Sequence, residues 1–160
     1  MRAPVRWLKD YVSFDEAPEL LGERLTMAGI PVEGIDRPCE GLRNIVTGLI
    51  TSVDPHPNAE RLSVCLLDLG GRTVKIVTAA TNVRAGQIVP VALDGAVLAD
   101  GKTISATDFR GVISEGMLCS AEEILGDTKI IAPEKREGIY VLPAETSLGA
   151  DIRPVMGLDD

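Results

Sequence analysis

The sequence predicts a mainly β protein with flanking helices, in which five short strands form a small barrel behind a helical N-terminal segment. Three observations predict it. Apolar residues before residue 30 recur at helical spacing. From residue 45 they become β-branched and fall into short runs separated by turn residues, the pattern of a sandwich or small barrel. Finally, Ser120-Ala121-Glu122-Glu123 has the S-x-x-E spacing that opens a helix.

Taken in order, Trp7, Leu8, Tyr11 and Val12 share one face of a helix over residues 5–12. Leu20, Leu21, Leu25 and Ala28 do the same over residues 16–28, with acidic Asp15, Glu16 and Glu19 at the positive end of the dipole. Gly29 is the expected closing residue, because glycine accepts the left-handed conformation after a helix. Residues 30–35 read as a short extended piece. Ile45 to Val53 is the first long strand, and Gly70-Gly71 divides Leu62–Leu69 from Arg72–Thr78 as a hairpin. Further strands are expected at 88–93, ended by Asp94-Gly95, then at 103–109 after Asp100-Gly101, and at 117–119. Two more short strands are expected at 128–131 and 138–143. Five strands with a glycine hairpin between the second and third suit an OB-type barrel, although periodicity alone does not separate that fold from another small barrel.

Composition narrows the function. The chain has 160 residues and 45% hydrophobic side chains, ample for a packed core and too apolar for disorder. No apolar run reaches the roughly 18 residues that a membrane helix needs, and no signal peptide is visible, so a soluble intracellular protein is expected. Cys39, Cys65 and Cys119 are odd in number and widely spaced, which fits reduced thiols and neither a disulfide framework nor a metal knuckle. The net charge of −8 falls mostly after residue 120, while residues 46–120 hold 6 basic and 7 acidic side chains. A protein that grips nucleic acid by counterion release is normally basic, so RNA binding by this region should be weak.

No catalytic constellation emerges. Residues 96–103 fit a relaxed phosphate-loop pattern, but β-favouring Thr103-Ile104-Ser105-Ala106-Thr107 follows where a helix is required. His56 lies between two prolines without an activated nucleophile and reads as a loop residue capping the turn before Asn58. Glu122 and Glu123 suit a helix first turn better than acid–base work. Basic residues Arg61, Arg72, Lys75, Arg84, Lys102 and Arg110 fall near strand ends, where an OB barrel presents its ligand face. Phe109 is the lone aromatic between residues 46 and 120, so binding through backbone and shape is expected over base stacking.

Two blocks carry a resemblance. Val5-Arg6-Trp7-Leu8-Lys9-Asp10-Tyr11-Val12 with Leu25-Thr26-Met27-Ala28-Gly29-Ile30-Pro31-Val32-Glu33-Gly34 resembles the start of bacterial phenylalanyl-tRNA synthetase beta subunits. His56-Pro57-Asn58-Ala59-Glu60-Arg61-Leu62, Asn82-Val83-Arg84-Ala85-Gly86 and Phe109-Arg110-Gly111-Val112-Ile113-Ser114-Glu115-Gly116-Met117-Leu118-Cys119-Ser120 resemble the tRNA-binding domain. One departure is Ala79-Ala80-Thr81, where that family often has Gly-Ala-Pro, a change in turn stiffness.

The resemblance implies an OB-fold barrel over residues 42–152, inserted into a split helical–strand module. Its first part would be residues 1–41, and its returning, truncated half would start at 153–160. It implies RNA-binding candidates Arg61, Lys75, Asn82, Arg84, Arg110 and Ser114, with no catalytic or metal site in this chain. It also implies a cytoplasmic parent enzyme of (αβ)2 form, with an alpha subunit, tRNA, ATP and magnesium as partners and cofactors, the last two used outside this chain. A stand-alone tRNA-binding or chaperone-like module, and a purely structural insert, are the alternative readings.

Overall fold

The computed structural model describes residues 1, 3–37, 39–126, 133–135 and 137–158. Two compact units divide at Cys39.

In the first unit, helix α1 (Val5–Tyr11) is followed by α2 (Pro18–Met27). Pro18 sits at the start of α2, where its missing N–H costs nothing. Gly29 closes the helix at φ +92°, as expected. Residues 30–35 form no strand. They run beside α2 instead, because Thr26 ties them there: its hydroxyl donates to the Gly22 carbonyl (2.9 Å) and accepts from the Val32 N–H (3.1 Å). Gly22 is buried beneath Val32 and Ile35.

The second unit is a five-stranded antiparallel sheet of order β3-β2-β1-β4-β7 with a separate two-stranded ribbon β5-β6. The strands are β1 (Arg43–His56), β2 (Ala59–Asp68), β3 (Thr73–Thr78), β4 (Ile88–Val97), β5 (Thr107–Phe109), β6 (Val112–Ser114) and β7 (Gly116–Leu118). Short helices α3 (Ala121–Leu125) and α4 (Ile152–Met156) follow. The Gly70-Gly71 hairpin forms as expected, with both glycines at positive φ. So does the capping box: Ser120 accepts from the Glu123 N–H and Glu123 from the Ser120 N–H.

Strand β1 organises the unit. Its first half pairs with β4 and its second half with β2. Opposite β4, residues 147–151 complete the first half. Thr47 donates its N–H to the Ala150 carbonyl (2.9 Å) and accepts from the Gly149 N–H (2.8 Å). Its hydroxyl donates to the Ser147 carbonyl (2.5 Å) and accepts from the Ala150 N–H (3.1 Å). Thr47 is fully buried.

Strand β4 is buried from Ile88 through Ala92 because apolar clusters cover both its faces. Val89 and Val91 join Ile50, Leu67, Ile76 and Leu118, whereas Ile88 and Ala92 join Ile45, Leu98, Ile124 and Ile152. Pro90 lies within this buried stretch without breaking it. The Cys119 N–H donates to the Pro90 carbonyl (3.1 Å), and the return bond that proline cannot donate is supplied by Tyr140, whose N–H reaches the Cys119 carbonyl (3.1 Å).

Several expectations need correction. The barrel does not close: β3 and β7 share no strand ladder. At three residues, β7 is too short to run along β3. Residues just before it bridge the gap. The Glu115 N–H donates to the Lys75 carbonyl (2.8 Å), the Lys75 N–H to the Glu115 carboxylate (2.7 Å), and the Val77 N–H to the Ser114 hydroxyl (2.9 Å). Gly116 is obligatory here, since a Cβ would lie 2.1 Å from the Ala92 carbonyl oxygen. Strand β4 continues past Asp94-Gly95 to Val97, through a register shift against β1 that absorbs Gly95 at φ +82°. The strand expected at 103–109 is reduced to Thr107–Phe109, with Thr103 forming only an isolated bridge to Val97. At 138–143 only Leu142 bridges, to Ile88, and the strand expected at 128–131 lies outside the described residues.

Replacing Thr47 with Val keeps the shape but strands the Ser147 carbonyl and the Ala150 N–H. The expected loss is about 2 kcal/mol in urea unfolding with an unchanged m-value. A loss below about 0.5 kcal/mol would show that the hydroxyl bonds carry no weight. Burial raises the pKa of all three thiols, Cys119 to about 12. At pH 8 alkylation of the native chain should therefore be slowest at Cys119, and rapid labelling there would contradict its burial.

Candidate nucleic-acid interface

The six sequence candidates separate into two groups. Arg61, Lys75, Arg84 and Arg110 are exposed, whereas Asn82 is half-buried and Ser114 is only 1% exposed. The Ser114 hydroxyl accepts from the Val77 N–H and donates to the Gly116 carbonyl (2.8 Å). Its hydroxyl thus both donates and accepts inside the fold. Asn82 is committed in the same way. Its Nδ2 donates to the Ile139 carbonyl (2.9 Å) and its Oδ1 accepts from the Ile139 N–H (3.0 Å).

The Asn82 loop is cross-braced by hydrogen bonds despite its exposure. Gln87 donates its Nε2 to the Asn82 carbonyl (3.1 Å) and accepts the Arg84 N–H (2.8 Å). Gly86 at φ +91° then returns the chain to β1 by donating to the Ile50 carbonyl (2.8 Å). Arg84 is carried outward on this loop. Lys75 points to solvent from β3, while its backbone holds Glu115.

Two hairpin tips meet at the remaining candidates. Pro57 and Asn58 form the two-residue turn between β1 and β2, and Arg110-Gly111 the one between β5 and β6. His56 ends β1, where a loop residue was expected, and is buried at 5% exposure; it caps the following turn as expected. Its Nδ1 accepts the Asn58 N–H (3.0 Å), so its Nε2 carries the proton and donates to the Phe109 carbonyl (2.6 Å). Asn58 Nδ2 donates to the Arg110 carbonyl (2.9 Å), and Arg110 Nη1 donates back to the Asn58 carbonyl (3.1 Å). The structure thus brings Arg110 onto the turn from which β2 carries Arg61.

Arg110 and Gly111 both have positive φ, 51° and 95°, as a type I′ turn requires. Glycine accepts this freely, but an L side chain there costs about 1 kcal/mol. The Asp108 carboxylate fixes the turn by accepting the Gly111 N–H (2.7 Å).

Sequence reasoning missed Asn58, Glu115 and Gly116 as individual determinants, although all three lie inside motifs it quoted. An asparagine beside proline and a Ser-Glu-Gly run before a strand were the available signals. Among the described residues no group of three or more His, Cys, Asp or Glu could hold a metal ion.

Ser114→Ala should cost about 1–3 kcal/mol of stability, because the buried Val77 N–H loses its acceptor. Lost RNA affinity with an unchanged unfolding midpoint would instead make Ser114 an RNA contact.

Comparison with known proteins places this geometry. Residues 45–151 match the model of a putative tRNA binding domain. The chain is 48% identical over 160 residues to the phenylalanine–tRNA ligase beta subunit of Moorella thermoacetica, covering 100% of this chain and 20% of the relative. It is 44% identical over 161 residues to that of Clostridium acetobutylicum, with the same coverage. It therefore spans about a fifth of the length of these relatives. Among solved structures it is similar to a MetRS-related protein from Pyrococcus horikoshii, with TM-score 0.47 and 20% identity over 66% of this chain and 85% of that one. The match over residues 45–151 shows that this chain belongs to the putative tRNA-binding domain family.

Proposed function

We propose that this chain is the opening, non-catalytic part of a phenylalanine–tRNA ligase beta subunit and helps that enzyme hold tRNA during protein synthesis. The observation that carries the reading is the extent of the similarity. It covers all 160 residues, including those before the domain at 45–151, and not the binding domain alone. On this reading the alpha subunit and the rest of the beta chain are partners in an (αβ)2 assembly. ATP and magnesium serve aminoacylation outside this chain, in the cytoplasm. No helix among the described residues is long and apolar enough to cross a membrane.

Among the exposed cations, Arg61, Lys75, Arg84 and Arg110 are the candidates for tRNA, and they act on phosphates. Their neighbourhood is near neutral, so the attraction is modest. Filter binding of the chain to tRNA should give a Kd on the order of 10–100 µM at moderate salt. With four phosphate contacts, affinity should fall by roughly a hundredfold between 50 and 200 mM salt. Nanomolar binding, or none at low salt, would defeat this reading.

A further inference from the structure

Arginine is a poor choice for the first position of a type I′ turn, where asparagine, aspartate or glycine satisfies the positive φ at lower cost. Arg110 occupies that position at φ 51°. Strain retained in this way points toward a role for the side chain, because the backbone conformation of the turn does not favour an arginine. The surroundings hold it firmly. Asn58 binds the Arg110 carbonyl, His56 binds the Phe109 carbonyl, and Asp108 binds the Gly111 N–H. One guanidinium nitrogen donates to the Asn58 carbonyl, while the residue as a whole remains exposed.

A guanidinium carries five N–H donors in a planar fork, so one such bond fixes its orientation and leaves others open to a phosphate. Of the four exposed candidates, Arg110 alone has a hydrogen bond fixing its side chain among the described residues. A cation already held in one rotamer loses less entropy on binding.

We infer that Arg110 is the pre-oriented phosphate contact of this domain and Asn58 its positioning residue; this rests on the tRNA-binding reading above. The ligand group is the phosphodiester of an RNA backbone, met where the Pro57–Asn58 and Arg110–Gly111 turns join. Asn58 acts through Arg110 and does not itself touch the RNA.

The test compares the 160-residue chain with Arg110→Gly, Asn58→Ala and the double variant, using tRNA titrations across a salt series and urea unfolding of each. Glycine relieves the turn, so Arg110→Gly should unfold at or above the wild-type midpoint. Its tRNA affinity should nevertheless fall roughly fivefold, and its slope of log K against log salt should drop by about one. Asn58→Ala removes the Nδ2 bond to the Arg110 carbonyl but keeps the backbone carbonyl that receives Nη1, so it should lose a smaller share of affinity, and the double variant should bind no more weakly than Arg110→Gly alone. Salt-dependent wild-type binding that Arg110→Gly leaves intact overturns the inference while sparing the tRNA reading. A lowered unfolding midpoint in Arg110→Gly overturns it too, by making the arginine a structural residue. Wild-type chain that binds no tRNA overturns both. Should Asn58→Ala fail to fold, the Arg110→Gly result decides.

Discussion

A strand of 14 residues has two edges to satisfy, and no single neighbour of β1 covers either one. Along β1, pairing with β2 takes over where residues 147–151 leave off, and residues 86–87 take over at Ile50 where pairing with β4 stops. Thr47 is the junction on which this patchwork depends, because one buried residue there makes four hydrogen bonds to a segment a hundred positions later. Unpaired backbone groups at that depth would cost more than the surrounding apolar contacts could readily offset. The register of β1 then sets the depth of every neighbour, and with it the two apolar clusters.

The motif residues take on different work once they are seen in place. His56, Asn58, Asn82, Ser114, Glu115 and Gly116 use their polar atoms, or their lack of a side chain, on the backbone of other segments. They make the small sheet possible where strands are too short to pair. The exposed cations are set on that frame: Arg84 on a loop braced by Gln87, Lys75 on the bridged strand and Arg110 on a tied hairpin tip. Recurring sequence patterns in such a domain therefore speak first of architecture, and only through it of ligand contact.

Much of the fold was legible. Helix ends, the Gly70-Gly71 hairpin and the Ser120 capping box depend on local chemistry, which sequence displays directly. Long-range satisfaction was not legible. Nothing about Ser114 or Asn82 in isolation says that a distant N–H will claim them. The closing seam was hidden for a related reason: periodicity marks strands, but gives no sign of a carboxylate standing in for a missing strand. The strand expected at 103–109 failed because an extended conformation does not guarantee a partner along its whole length.

The seam along β3 has a consequence for how the molecule behaves in company. An edge strand with open donors invites a strand from another chain, which is a common route to aggregation. Here the donors of Lys75 and Val77 are already occupied by an acidic side chain and a hydroxyl, neither of which can propagate a ladder. The unfinished closure thus doubles as a guard, keeping crowded copies from zipping together through the rim of the sheet.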